Sequence, residues 1–336
     1  MTLPLCPDTV QPCRHGGHTS PWARTDRCKS WGRLVELWIP ITVVAAFFQC
    51  TRTALQQKLK ALLSTNGANF VRYFYGAPVS ILMLVLLITV GGRSLPAWDW
   101  TFVAWSALGG VAQIIATSLL IYAFELRNFT VGTAYSKSET VQLALVSVLI
   151  LGEPLGPLAW VGILVSLFGV IVLSVKGDTR SLRQIALGWT HKAALVGIAA
   201  GSLFGVAALS IRQGAIHLPS GDFMIRAIFT LAVMNTLQTL IMGGWLLARE
   251  PQQIVKVATT WRSSSLVGVL SVLGSACWAM GFALQSTAYV RALGQIELVF
   301  TFIASRYMLH ERPTLGELIG SVLVVGGVVL VLLGRQ

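Results

Sequence analysis

Residues 130–150 read TVGTAYSKSETVQLALVSVLI, and residues 292–309 read ALGQIELVFTFIASRYML. Each is an apolar run long enough for a helix, and each carries one glutamate: Glu139 in the first, Glu297 in the second. The two acids are 158 positions apart. The same offset relates Glu153 to Glu311, Gly162 to Gly320 and Gly169 to Gly327. One spacing that carries an acid, a loop acid and two packing glycines marks a duplicated unit. An acid inside an apolar helix is costly in a bilayer, so each is a functional candidate by default. Duplication with paired intramembrane acids is the pattern of a transporter built from two halves.

Composition sets the solvent. The chain has 336 residues, 54% hydrophobic and 11% charged, where a soluble domain carries roughly 25% charged residues. Mean hydropathy is +0.71. Runs such as VSILMLVLLITV (79–90) are continuously apolar and do not alternate, so they read as membrane helices and not barrel strands. The net charge of +12 and the pI near 10.0 are read as lipid headgroup contacts and topology signals in tails, loops and helix ends. Nucleic acid is not an expected partner. The five cysteines are Cys6, Cys13, Cys28, Cys50 and Cys277. Even with His15 and His18 they match no standard zinc spacing, so no metal and no cofactor is expected. No apolar segment of signal-peptide type follows the first charges.

Ten spans are expected, at 36–57, 68–90, 98–124, 130–150, 155–175, 190–212, 222–247, 264–288, 292–309 and 314–334. Each has about the twenty residues needed to cross the hydrocarbon. Short links force neighbouring spans to be antiparallel. The organisation read from this is a basic, irregular tail (1–34), a first five-helix repeat (35–176), a linker (177–188) and a second repeat (189–335). The first two spans of each half align at an offset of 154, pairing Lys58 with Arg212 and Arg72 with Arg226. The four extra residues fall between spans seven and eight, near Gln252 to Arg262. A unit with five crossings, repeated, is inverted relative to the first copy. The fold class is therefore an all-α membrane protein: ten transmembrane helices as two inverted five-helix repeats around a central cavity.

Three motifs give this architecture a family likeness. They are Phe70-Val71-Arg72-Tyr73 in span two, Leu151-Gly152-Glu153-Pro154 at the end of span four, and the glycine-spaced fifth span from Trp160-Val161-Gly162 to Gly169. Together they resemble the EamA domain of the drug/metabolite transporter superfamily. The resemblance covers about residues 36–334. It implies that helices 1–4 and 6–9 surround the cavity while helices 5 and 10 pack outside. His310-Glu311-Arg312-Pro313 departs from the Gly-Glu-Pro pattern in the second copy.

Candidate transport residues follow from helical spacing. Gly132, Tyr135, Ser136, Glu139 and Gln142 share one face of span four, opposite an apolar face. This stripe is read as facing the cavity, with a buried hydrogen-bond network between helices as the alternative. In span nine, Gly294, Glu297 and Thr301 share a face. Lys137, Arg72 and Arg226 are possible partners for the acids; Lys137 projects from a different face than Glu139 and would pair with another helix or snorkel. Glu139 either couples proton movement to substrate or locks two helices in an ion pair. In span one, Gln49 and Arg52 lie on a polar stripe. Arg52 would suit an anionic solute, against the alternative of snorkelling from the end of the span. Gln113 and Trp278 are softer candidates, and packing is the preferred reading for Trp278. Pro78 should kink span two. Gly162, Gly169, Gly316, Gly320 and Gly327 are read as helix packing sites, with dimerisation the lesser reading.

The function expected is a secondary transporter, an exporter or permease for a small metabolite, amino acid or drug, working by alternating access. Its partners would be the solute, the lipid bilayer and protons as a candidate coupling ion. It would act as a monomer or homodimer. A nucleotide-sugar or organic-anion exchanger of the same superfamily is the alternative reading, and a channel or membrane-embedded enzyme is a distant one. No enzyme motif appears. The expected location is a bacterial inner or plasma membrane. The resemblance implies cytoplasmic termini; the basic tail agrees, while the loop charges oppose it.

Overall fold

The computed structural model describes residues 22–59, 62–125, 136–149, 152–153, 155–174, 192–300, 303 and 315–334. Among these the regular structure is helical. The helices are α1 (Trp22–Leu59), α2 (Thr65–Phe74), α3 (Gly76–Thr89), α4 (Trp100–Glu125), α5 (Glu139–Leu149) and α6 (Pro157–Ser174) in the first half. The second half has α7 (Lys192–His217), α8 (Phe223–Arg249), α9 (Pro251–Thr259), α10 (Trp261–Leu284), α11 (Thr287–Gly294) and α12 (Leu315–Leu333). Each of the ten sequence-predicted spans holds helical residues, span nine only the end of α11 and residues 297–300 and 303 among those described. Six stretches are long and apolar enough to cross a bilayer as they stand, and Glu139–Leu149, Pro157–Val172 and Leu318–Leu333 are shorter apolar helices.

Three details differ from the sequence reading. Helix α1 starts at Trp22, inside the segment read as an irregular tail. After Pro21 no proline interrupts the chain until Pro40, so a helix already nucleated in the span extends outward at little cost. Span two is two helices, α2 and α3, parted at Tyr75. Pro78 is the third residue of α3; it lacks an N–H, and its ring opposes the carbonyl four residues back, where the break falls. The longer link between spans seven and eight, which holds the four extra residues, forms α9, whose Val257 is buried while Val255 and Lys256 are exposed. Tyr75 donates from its hydroxyl to the Val257 carbonyl (3.0 Å), so the inserted helix braces the break in span two.

The packing pattern has two-fold character. Span one (α1) packs on span eight (α10), and span six (α7) packs on span three (α4). Exchanging the two repeats turns one of these pairings into the other. Equivalent spans also meet: α8 packs on α2 and α3, α5 on α11, and α6 on α12. Each repeat thus buries its apolar faces mainly against the other. This is why neither half forms a separate core.

Spans five and ten meet through glycine. A Cβ on Gly162 would stand 2.6 Å from the Gly327 carbonyl oxygen, and one on Gly169 would stand 2.7 Å from the Val324 nitrogen. Backbones approach this closely only without side chains between them. Gly320 lies within the same contact, its carbonyl oxygen 2.9 Å from that Gly169 Cβ position. Gly316 lies in the first turns of α12, half-buried.

Candidate functional site

The helices enclose a cavity of about 690 Å³. Its wall comes from α1, α2, α4, α7, α10, α11 and the segments around Glu139 and Glu297. Among the described residues neither α6 nor α12 contributes to it, as expected for outer supports. Helix α8 also contributes no lining residue.

The two acids occupy equivalent irregularities. The chain is helical at Ser136, turns at Lys137 and Ser138, and resumes as α5 at Glu139. In the second repeat α11 ends at Gly294, the chain turns at Gln295 and Ile296, and helix resumes at Glu297. The offset of 158 maps one break onto the other. Each glutamate therefore opens a half-helix, where free backbone N–H groups and the positive end of the helix dipole favour a negative charge. Gly201 of α7 lets that helix lie against the first break: a Cβ there would meet the Ser136 carbonyl oxygen at 2.7 Å. Gln295 donates from its amide to the Thr140 hydroxyl, joining the two breaks.

Cations cross between the repeats to meet the acids. Lys137 Nζ of the first repeat lies 3.3 Å from Glu297 Oε2 of the second. Arg291 Nε of the second lies 3.0 Å from Glu139 Oε1 of the first. The latter is a charge contact without hydrogen-bond alignment, since neither atom has a hydrogen-bond partner. Gln49 donates to Glu297 Oε2 at 2.7 Å and accepts from the Trp278 indole at 2.9 Å. Trp278 in turn lies under Arg291, whose guanidinium carbon is 4.7 Å from the ring centroid. The result is a connected chain from Lys137 through Glu297, Gln49, Trp278 and Arg291 to Glu139. All of these residues line the cavity.

Other sequence candidates divide clearly. Ser136, Arg52, Arg72 and Gln113 also line the cavity. Gln113 accepts from the Gln238 amide at 2.8 Å. Trp278 is only 6% exposed, packed with Phe282 and Leu293 in the core, and is also part of the cavity wall. Gln142 does not line the cavity; it accepts from Ser202 (2.7 Å) and donates to Ser138 (2.9 Å), tying α5 to α7. Arg226 stays in the first turn of α8, where its Nε donates to the Ser220 carbonyl at 3.3 Å. It is thus apart from the cavity, unlike its repeat partner Arg72. Gly294 packs against the Trp278 ring and leaves it room. Tyr135, Gly132 and Thr301 lie outside the described residues.

Arg291 escapes the sequence reading because it stands one residue before the predicted start of span nine, and its partner acid belongs to the other repeat. Its one legible trace is a charge at the edge of an apolar run. Arg212 is visible in the sequence only as the repeat partner of Lys58. Its Nη1 donates to the carbonyls of Phe282 (2.7 Å) and Gln285 (2.6 Å), and its Nη2 donates to Glu153 at 2.7 Å. The acid of the Gly-Glu-Pro motif thus holds the arginine that caps the C-terminal end of α10.

An inverted-repeat helical membrane protein with a charged central cavity is the architecture of a solute carrier. The match to known proteins agrees. Residues 36–175 and 191–333 each match the EamA-like transporter family. The chain belongs to that family, and is a multi-pass membrane transporter of the drug/metabolite transporter type. It is 23% identical to an uncharacterized transporter of Synechocystis sp., sll1164, over 241 residues, covering 71% of this chain and 67% of that one. A crystal structure with 17% identity superposes with a TM-score of 0.69, covering 90% of this chain and 99% of that one, which speaks to the fold alone.

Proposed function

We propose that this protein is a secondary transporter that moves a small organic solute through the central cavity by alternating access. The two repeats at 35–176 and 189–335 act as the moving halves, and the family likeness favours transport over catalysis. One observation carries the reading: both intramembrane acids open half-helices at equivalent breaks, and each is held by a cation of the opposite repeat. Discontinuous helices with paired charges at a repeat interface are the structural means by which such carriers bind solute and change sides. An ion pair that crosses the interface can form in one state and part in another, so protonation or substrate at Glu139 would bias the exchange.

The test is counterflow in proteoliposomes. Glu139→Gln should leave the protein folded by size exclusion and helical content. It should lower exchange by about tenfold or more, because a buried Arg291 then lacks its counter-charge, and should flatten any pH dependence. Glu297→Gln should act more mildly, because Gln49 can still hydrogen-bond the amide oxygen at this position. Unchanged exchange and pH dependence in Glu139→Gln would refute this role. Saturable counterflow excludes a simple channel.

A further inference from the structure

We infer that the cavity binds an organic anion, whose carboxylate or phosphate group is held by Arg52 and Arg72 and whose apolar body fills the rest of the space. This deepens the transport reading above and rests on it. The charge balance of the wall is the starting point. Among the described residues six charged side chains line it: Arg52, Arg72, Lys137 and Arg291 against Glu139 and Glu297. Both acids are taken by Lys137 and Arg291. Among the described residues Arg52 and Arg72 have no carboxylate at ion-pair distance. Glu297 attracts Arg52 only from further off, and Arg72 and Arg291 both repel it.

Their other contacts are poor. Arg52 Nη2 reaches the Thr53 hydroxyl at 3.5 Å, and Arg72 Nη1 reaches the Thr117 hydroxyl at 3.5 Å. The Nε of each is buried without a hydrogen-bond partner. Arg72 is 6% exposed, with its guanidinium carbon 5.4 Å from the Tyr73 ring centroid. A snorkelling arginine would reach water, and one that fastens helices would bond to carbonyls, as Arg212 does. These two do neither. Arg72 is buried and Arg52 half-buried, and two such like charges without a counter-charge make a costly arrangement, which an anion between them relieves. The planar guanidinium fork matches carboxylate and phosphate oxygens. The volume exceeds what an inorganic ion needs and lies within the roughly 300–1,000 Å³ of small-molecule pockets. Phe204, Leu270 and Trp278 supply apolar wall for the remainder of the ligand.

The test uses the full chain purified in detergent at constant ionic strength. Thermal unfolding is followed with phenylacetate and phenyl phosphate, their neutral counterparts phenylacetamide and phenol, the cation phenethylamine, and inorganic phosphate. The expected result is saturable stabilisation by at least one of the two organic anions, absent with the neutral and cationic probes and weaker with inorganic phosphate. Arg52→Gln and Arg72→Gln should each weaken it by about tenfold or more, the loss of a charge-assisted contact. Arg52→Lys should retain part of it, and Arg226→Gln all of it. Without ligand, Arg52→Gln should unfold no earlier than the parent, since it removes an uncompensated charge; a purely structural arginine would give the reverse. Equal response to acid and amide, a response that survives both Gln variants, or no response to either organic anion overturns the assignment. Inorganic phosphate acting as well as the organic anions overturns the apolar-body part. Counterflow separates the two levels. Saturable exchange of neutral or cationic solutes alone keeps the transporter and removes the anion; anion binding with no exchange of any solute does the opposite.

Discussion

Glu153 and Arg212 show how one side-chain pair can hold two repeats in register. Arg212 donates to two backbone carbonyls at the end of α10, and Glu153 supplies its counter-charge at 2.7 Å. The pair is mostly buried, with 16% of the arginine side chain and 27% of the glutamate side chain exposed. Removing the acid leaves a desolvated donor, which costs about 1–3 kcal/mol. Glu153→Gln should therefore lower the thermal midpoint in detergent and leave substrate affinity unchanged, because neither residue lines the cavity. A fall in affinity with no fall in stability would show that the pair belongs to the transport pathway. The cavity residues carry the opposite expectation: Glu139→Gln should affect exchange far more than folding.

At the scale of elements, the contact between α6 and α12 rests on missing side chains. Valine at Gly169 would drive methyl groups into the Val324 nitrogen and the Gly320 carbonyl, both under 3 Å from the Cβ position. Overpacking of this kind costs about 1–3 kcal/mol, and more where the obstacle is backbone. Gly169→Val should thus lower the unfolding midpoint; valine at Gly326, where a Cβ meets nothing within 4 Å, should be tolerated. Comparable stability for both variants would remove the packing role of the glycine face. The broken helices are the other element-scale feature. Their breaks stand where Lys137-Ser138 and Gln295-Ile296 precede the acids, and the acids gain the positive end of a half-helix. A continuous helix would offer them none.

For the whole molecule, ten crossings put both termini on one side of the membrane. We propose that this side is the cytoplasm. A fluorescent reporter fused after Gln336 should be bright and an alkaline phosphatase fusion at the same point inactive; the reverse result would invert the assignment. The proposed alternating access makes a second demand at this scale. The contacts that join equivalent spans, α5 with α11 and α2–α3 with α8, must be able to shift against each other. A disulfide across α5 and α11 should then block exchange while leaving ligand binding intact, and restored exchange on reduction would confirm that the block is mechanical.

Much of this was legible in the chain. The 158-residue offset, the apolar run lengths and the glycine spacing determine ten helices, two inverted copies and outer supports, because the bilayer forces every span to satisfy its own backbone and duplication repeats the pattern in order. The acid of each fourth span was legible as well, because a charge in hydrocarbon stands out against its neighbours. What only the tertiary structure decided is who meets whom. Helical spacing placed Lys137 off the face of Glu139 but gave no partner for it. It put Gln142 on the cavity stripe, whereas Gln142, three residues after Glu139 on the same helix, meets Ser202 of α7 instead. It treated Arg72 and Arg226 as equals, although one is buried in the wall and the other stays in the first turn of its helix. Partners on different repeats are far apart in sequence, 59 residues for Glu153 and Arg212 and 160 for Lys137 and Glu297, and no local period encodes them. They are set by how two copies of one fold bury their faces against each other.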